Sequence, residues 1–293
     1  MYNAIAANKR NTVIIMAVFV GIVGAIGWAV SYIYGGGNQS ITLWVIGITI
    51  VYALIQYFIA SKLALSLNGA REIEKADNPR LYRIVENLAI TNGMPTPKVY
   101  IIEDPAPNAM ATGRDPKHAI VAATTGIMDI MNDRELEAVM AHEMGHVKNY
   151  DIRVSMIAFG LVSAIGILSD LALNMFFYSD RRESNSSPVV LVVGIVLIIL
   201  APILAAIIQM AISRQREYLA DATSVMTTRD SEGLASALEK LAQYGRPMQH
   251  QNAASAHLFF SNPLKSGFFN NLFSTHPPLD QRIARLRENA NKF

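Results

Sequence analysis

Apolar positions along this chain come in two textures, long runs without a charge and short stripes at helical or strand spacing. From Asn11 to Ser61 no residue is charged, and Gly35-Gly36-Gly37-Asn38-Gln39-Ser40 divides the stretch into two segments, near Thr12 to Tyr34 and Ile41 to Ala60. Each has about the 20 residues that a helix needs to cross a bilayer core. The pair predicts a retained transmembrane hairpin, because the first run is too long for a cleaved signal peptide and a second follows at once. A third segment, Val154 to Tyr178, is interrupted by Asp170, and a fourth, Val189 to Ile212, is charge-free with Pro202 as a kink. The fourth reads as a span. The third has a charge-free core only from Val154 to Ser169, so it reads as a tilted, interfacial or functional span, or as an amphipathic lid.

Between these runs the periods are shorter. Asn78 caps and Pro79 opens a helix whose face is Leu81, Ile84, Val85 and Leu88, with Gly93 closing it. Lys98 to Ile102 reads as a strand. Asn108 to Gly113 and Ala119 to Ala123 read as two more, joined through Arg114-Asp115-Pro116-Lys117. Asn132 and Glu135 form a capping box, and Leu136, Val139, Met140 and Val147 follow at helical spacing. An amphipathic helix is predicted from Leu279 to Asn289. The class is therefore α+β and mostly helical, with a small β-sheet and about four transmembrane helices. The expected division is residues 1–63 as the hairpin, 64–151 and 213–293 as two parts of one polar domain, and 152–212 as the third and fourth segments.

Composition agrees with a membrane protein: 52% of residues are hydrophobic and 16% charged. Lys9, Arg10, Lys62, Arg214 and Arg216 flank the runs on one side, which the positive-inside bias makes cytoplasmic. A net charge of +2 gives no reason to expect nucleic acid. The chain has no cysteine, which excludes disulfides and leaves nitrogen and oxygen as metal donors.

Such donors are present. In His142-Glu143-Met144-Gly145-His146 the histidines are four apart, on one helical face, so both rings reach a single Zn²⁺ while Glu143 stands beside the attacking water as its general base. A third ligand is expected just after the fourth run, where Glu217 and Asp221 are also four apart. Glu217 is the expected ligand, and Asp221 the carboxylate that accepts the free N–H of a ligand histidine. By themselves these two fit a juxtamembrane ion-pair cluster equally well.

Taken together, His142 to Asp151, Glu217 to Asp221 and the late Thr275-His276-Pro277-Pro278 resemble the HtpX family of membrane-bound zinc metalloproteases, relatives of the CaaX prenyl proteases. The likeness runs over nearly the whole chain. It implies a zincin-like domain holding one Zn²⁺, polypeptide substrates drawn from misfolded or membrane proteins, and a bacterial inner-membrane location with the domain facing the cytoplasm, in stress response and quality control. It also implies that the strand edge near Asn108 lies along the substrate cleft, where an extended peptide would add by main-chain hydrogen bonds; the residues alone fit an ordinary edge strand covered by a loop equally well. His276 is either structural, before its Pro-Pro turn, or an active-site neighbour that donates to the oxyanion. His118, His250 and His257 have no partner pattern. The aromatic, Asn-rich stretch from Gly245 to Ser274 reads as a lid over the cleft or on the membrane surface. Three rivals predict different properties: a zinc scaffold without turnover, a transporter using Asp170, and a prenyl-CaaX protease that needs more helices than four.

Overall fold

The computed structural model of the protein describes residues 2–34, 39–163, 214–250, 254–264, 277–288 and 290. They fall into two compact units, one of Arg10–Ala60 with Ile157–Ala211 and one of Met1–Lys9, Ser61–Met156 and Ile212–Phe293.

Among the described residues the first unit holds most of helices α1 (Tyr2–Tyr34) and α2 (Gln39–Leu67). Small residues let them approach: a Cβ on Gly27 would stand 2.8 Å from Val45 Cγ1, and one on Gly24 3.1 Å from Ile46 Cγ1. Ile5–Ala25 and Thr42–Leu67 are long and apolar enough to cross a membrane, and only 22% of each apolar window is buried. Leu43, Trp44, Ile48, Val51 and Phe58 stand exposed, which suits lipid as solvent and would be costly in water. Among the described residues these are the two candidate spans. Of the third sequence segment, residues 154–163 are helical; the remainder, with Asp170, and the whole fourth segment lie outside the described residues.

In the second unit a four-stranded mixed sheet has the order β1-β2-β4-β3. Its strands are β1 (Ala70–Glu72), β2 (Lys98–Ile102), β3 (Ala109–Gly113) and β4 (Ala119–Thr124). β2 and β4 run parallel, and the other pairs antiparallel. The helices are α3 (Pro79–Asn92), α4 (Thr125–Ile130), α5 (Asp133–Lys148), α6 (residues 151–163, shared between the units), α7 (Arg214–Thr228), α8 (Ser231–Tyr244) and α9 (Leu279–Glu288).

The expected caps are present. Asn78 Oδ1 accepts from Leu81 N, and Gly93 ends α3 at φ 63°, a left-handed conformation that glycine adopts without steric cost. Asn132 and Glu135 cap α5 reciprocally. α5 is buried on nearly every side: Leu136, Val139, Met140, Met144 and Val147 share one core with α3, the sheet, α8 and Leu286 of α9. A helix enclosed in this way holds its polar side chains in a low dielectric, and three of them are His142, Glu143 and His146.

Candidate metal centre

Spacing on α5 puts His142 and His146 one turn apart, and α7 crosses beside them. The crossing is close because of Gly145, where a Cβ would lie 3.2 Å from Thr223 Cβ and 3.4 Å from Ala220 Cα. Ser224 ties the helices together by donating to Ala138 O at 2.7 Å.

This crossing gathers three donor groups. His142 Nε2 and His146 Nε2 are 3.1 Å apart, Glu217 Oε2 is 3.6 Å from His142 Nε2, and Glu217 Oε1 is 3.5 Å from His146 Nε2. Tetrahedral zinc with bonds of 2.0 to 2.1 Å has edges of about 3.3 Å. The donor set thus has the spacing and the chemistry of a catalytic zinc site, with two imidazoles, one carboxylate and room for a fourth ligand.

The other face of each ring is held by a carboxylate. His142 Nδ1 lies 2.9 Å from Asp221 Oδ1, and His146 Nδ1 lies 3.0 Å from Asp151 Oδ2. Carboxylates only accept, so both protons sit on Nδ1 and both Nε2 lone pairs face inward. Lone pairs 3.1 Å apart beside a carboxylate call for a cation or a proton between them. The electrostatics agree: burial opposes charge on His146, but Glu217, Asp151 and Glu143 outweigh it and push its pKa up to about 9. Glu143 is buried in the same place, and burial raises its pKa despite the neighbouring His146 and His142.

Two supporting residues were not expected from sequence. Arg282 of α9, fully buried, bonds Asp221 through Nε at 2.9 Å and Nη2 at 2.6 Å. Its guanidinium lies over the Phe260 ring, which in turn meets His142 edge-on at 4.9 Å. The available signal was a charge inside the apolar stripe Leu279, Ile283 and Leu286. Asp151 stood in the motif's wake with no role assigned. It follows Tyr150, whose φ of 62° turns the chain sharply between α5 and α6 and brings the carboxylate back to His146.

A cleft opens at these groups, lined by Glu143, His146, Glu217, Ala111 and residues 257–260 among others. His257, unassigned from sequence, is in its wall with Nε2 2.9 Å from Ser155 O. His118 pairs instead with Asp115, and His250 is exposed. His276 lies outside the described residues. The β3 edge is partly occupied by the chain itself: Met110 faces Phe259 in an antiparallel bridge, and Phe260 N donates to Ala109 O at 2.8 Å. Phe259 and Phe260 are accordingly buried rather than presented to a membrane surface.

Comparison with known proteins gives the same reading. Residues 75–290 match the model of Peptidase family M48. A Tropheryma whipplei (strain Twist) protein described as "Protease HtpX homolog" is 53% identical over 293 residues, all of both chains. A Limosilactobacillus fermentum protein of the same description is 46% identical, covering 98% of this chain and 99% of its own. The crystal structure of S. mikatae Ste24p shares the fold, with a TM-score of 0.52 at 18% identity over 98% of this chain and 67% of that one. The chain belongs to peptidase family M48, among its HtpX proteases, and is a metalloprotease.

Proposed function

We propose that this protein is a membrane-integrated zinc endopeptidase that cuts misfolded or membrane polypeptides on the cytoplasmic side, in protein quality control. The observation that carries the reading is the gathering of His142, His146 and Glu217, whose two ring nitrogens lie 3.1 Å apart and 3.6 and 3.5 Å from the two oxygens of the Glu217 carboxylate, with His146 and Glu217 lining the same cleft as Glu143. His142, His146 and Glu217 would hold one zinc per chain, with Asp221 and Asp151 behind the rings. When bound, zinc supplies Lewis acidity, which polarises a scissile carbonyl and makes water nucleophilic near neutral pH.

Glu143 takes the proton from that water and returns it to the leaving amine. Its carboxylate lines the cleft beside His146 and Glu217, within the site where that proton is released. An extended substrate adds to β3 beyond the part covered by Phe259, beside Ala111 of the cleft wall. His276 belongs to the proposal as an oxyanion donor on family likeness alone. The flanking basic residues support the cytoplasmic orientation.

Glu143→Gln is the deciding variant. It should retain one zinc per chain by metal analysis while cleavage of casein or a membrane protein falls by about 10²- to 10⁴-fold. Equal cleavage by the zinc-loaded variant would overturn the assignment. Orientation has its own test, since a cysteine introduced as Lys75→Cys would be the sole thiol. Its labelling by an impermeant maleimide from outside intact cells would refute the cytoplasmic placement.

A further inference from the structure

We propose that the first turns of the chain, through Asn8, form a positioning element of the metal centre, holding Asp151 against His146. The inference rests on the reading of His146 as a zinc ligand and names what keeps that ligand in place.

Asn8 is far from the centre in sequence, yet it is 3% exposed and packed against the corner that follows α5. Its Nδ2 donates to Asp151 Oδ1 at 2.6 Å and to Asn149 O at 2.9 Å. Arg216 Nη1 donates to Asn8 Oδ1 at 3.1 Å, which fixes the amide orientation: turned over, the oxygen would face a carboxylate and a carbonyl. Asp151 therefore uses one oxygen for His146 and the other for Asn8. The next residue, Lys9, places its Nζ 4.7 Å from the centroid of the Tyr150 ring, and Arg153 lies 4.9 Å from the same ring.

The corner needs such support. Tyr150 is a bulky residue at φ 62°, a left-handed conformation that persists only where its surroundings enforce it. Two successive residues of the N-terminal helix grip the backbone, the ring and the carboxylate of this one corner. Candidate span Ile5–Ala25 includes that same turn, so the helix that enters the membrane also backs a metal-site histidine.

The test uses the full-length chain in detergent and measures zinc affinity by chelator competition, together with melting temperature with and without zinc. Asn8→Ala should weaken zinc binding about tenfold, the lower end of what lost outer support of a metal ligand costs. Asn8→Asp, nearly the same shape but unable to donate and repelled by Asp151, should weaken it further. The exchange Asn8→Asp with Asp151→Asn should recover part of that loss. In each single variant the increment in melting temperature produced by zinc should shrink. Variants that bind zinc as tightly as the parent, or that melt lower by the same amount with and without zinc, overturn the inference. If Asn8→Asp does not fold, Asn8→Ala decides alone. A parent chain that binds no zinc would instead sink the metal-site reading, and this inference with it.

Discussion

Arg282 and Asp221 form a two-pronged pair inside the protein, Nε to Oδ2 at 2.9 Å and Nη2 to Oδ1 at 2.6 Å, with the arginine fully buried. α9, the last helix, thereby reaches the centre: Arg282 fixes Asp221, and Asp221 fixes His142. Burial pushes the Asp221 carboxyl up, but Arg282 and His142 outweigh it and hold its pKa at about 2. Arg282→Met leaves that carboxylate buried without its counter-charge, which should cost about 3–5 kcal/mol. Arg282→Lys keeps the charge and loses the fork, so it should fall between. Melting of the metal-free chain checks both, and a Met variant as stable as the parent contradicts the account.

Glu135 gives a pH dependence away from the metal. It accepts from the Asn132 backbone, Ser236 and Lys240 at once. Burial raises its pKa, but Lys240, Ser236 and Asn132 prevail and hold it below the ordinary 4.5. A carboxylate lowered by folding stabilises the protein above its ordinary pKa, and the contribution disappears as pH falls through the lower folded value. Glu135→Gln should therefore melt lower than the parent at pH 7, by the equivalent of about 1.5–3 kcal/mol for a lost charged hydrogen bond. The difference should shrink below pH 4.5. A gap that stays constant from pH 7 to pH 3 refutes this assignment.

Local chemistry made much of this architecture readable. Asn78, Gly93, Asn132 and Glu135 announce helix ends because a cap depends on a few adjacent residues, and β2 (Lys98–Ile102) shows its apolar character in one short run. The pairing of His142 with His146 was legible for the same reason, since a four-residue spacing fixes a helical face, whereas Glu217 comes from another helix and its own spacing fitted an ion-pair cluster as well. β1 was not: Ala70, Arg71 and Glu72 have no apolar alternation and become a strand only by pairing with β2. The second layer of the site was mostly hidden. Asn8, Asp151 and Arg282 meet the histidine backing through contacts across the fold, and a lone Asn or Arg has no local pattern announcing such a partner.

Asn108 behaves as an extra rung of β3. Its Nδ2 donates to Ser261 O at 2.8 Å and its Oδ1 accepts from Ser261 N at 3.0 Å. Asn108→Ala removes both bonds, worth about 1 kcal/mol each, and should release the segment that covers the strand edge. Amide hydrogen exchange at Phe260 and Ser261 should then accelerate by about tenfold or more, since 1.4 kcal/mol is a factor of ten. Unchanged exchange there would mean that Phe259 and Phe260 packing alone holds the segment.

Gly145 links helix spacing to metal affinity. A glycine within a helix costs about 1 kcal/mol relative to alanine, so Gly145→Ala favours α5 locally. The added methyl, however, meets Thr223 Cβ at 3.2 Å and Ala220 Cα at 3.4 Å, and α7 must yield by a few tenths of an ångström. Ala220 is one turn on from Glu217, so the yielding helix carries the carboxylate away from His146, where the gap is 3.5 Å. Stability and metal binding should therefore separate. Gly145→Ala should melt close to the parent without zinc, while its zinc affinity falls about tenfold, as when the support of a metal ligand shifts. Gly145→Val, with bulk beyond what α7 can absorb, should lose more affinity and some stability as well. Chelator competition and metal-free melting on the same preparations separate the two effects. Zinc binding by Gly145→Val at the parent's strength would show that the α5–α7 spacing does not govern the site.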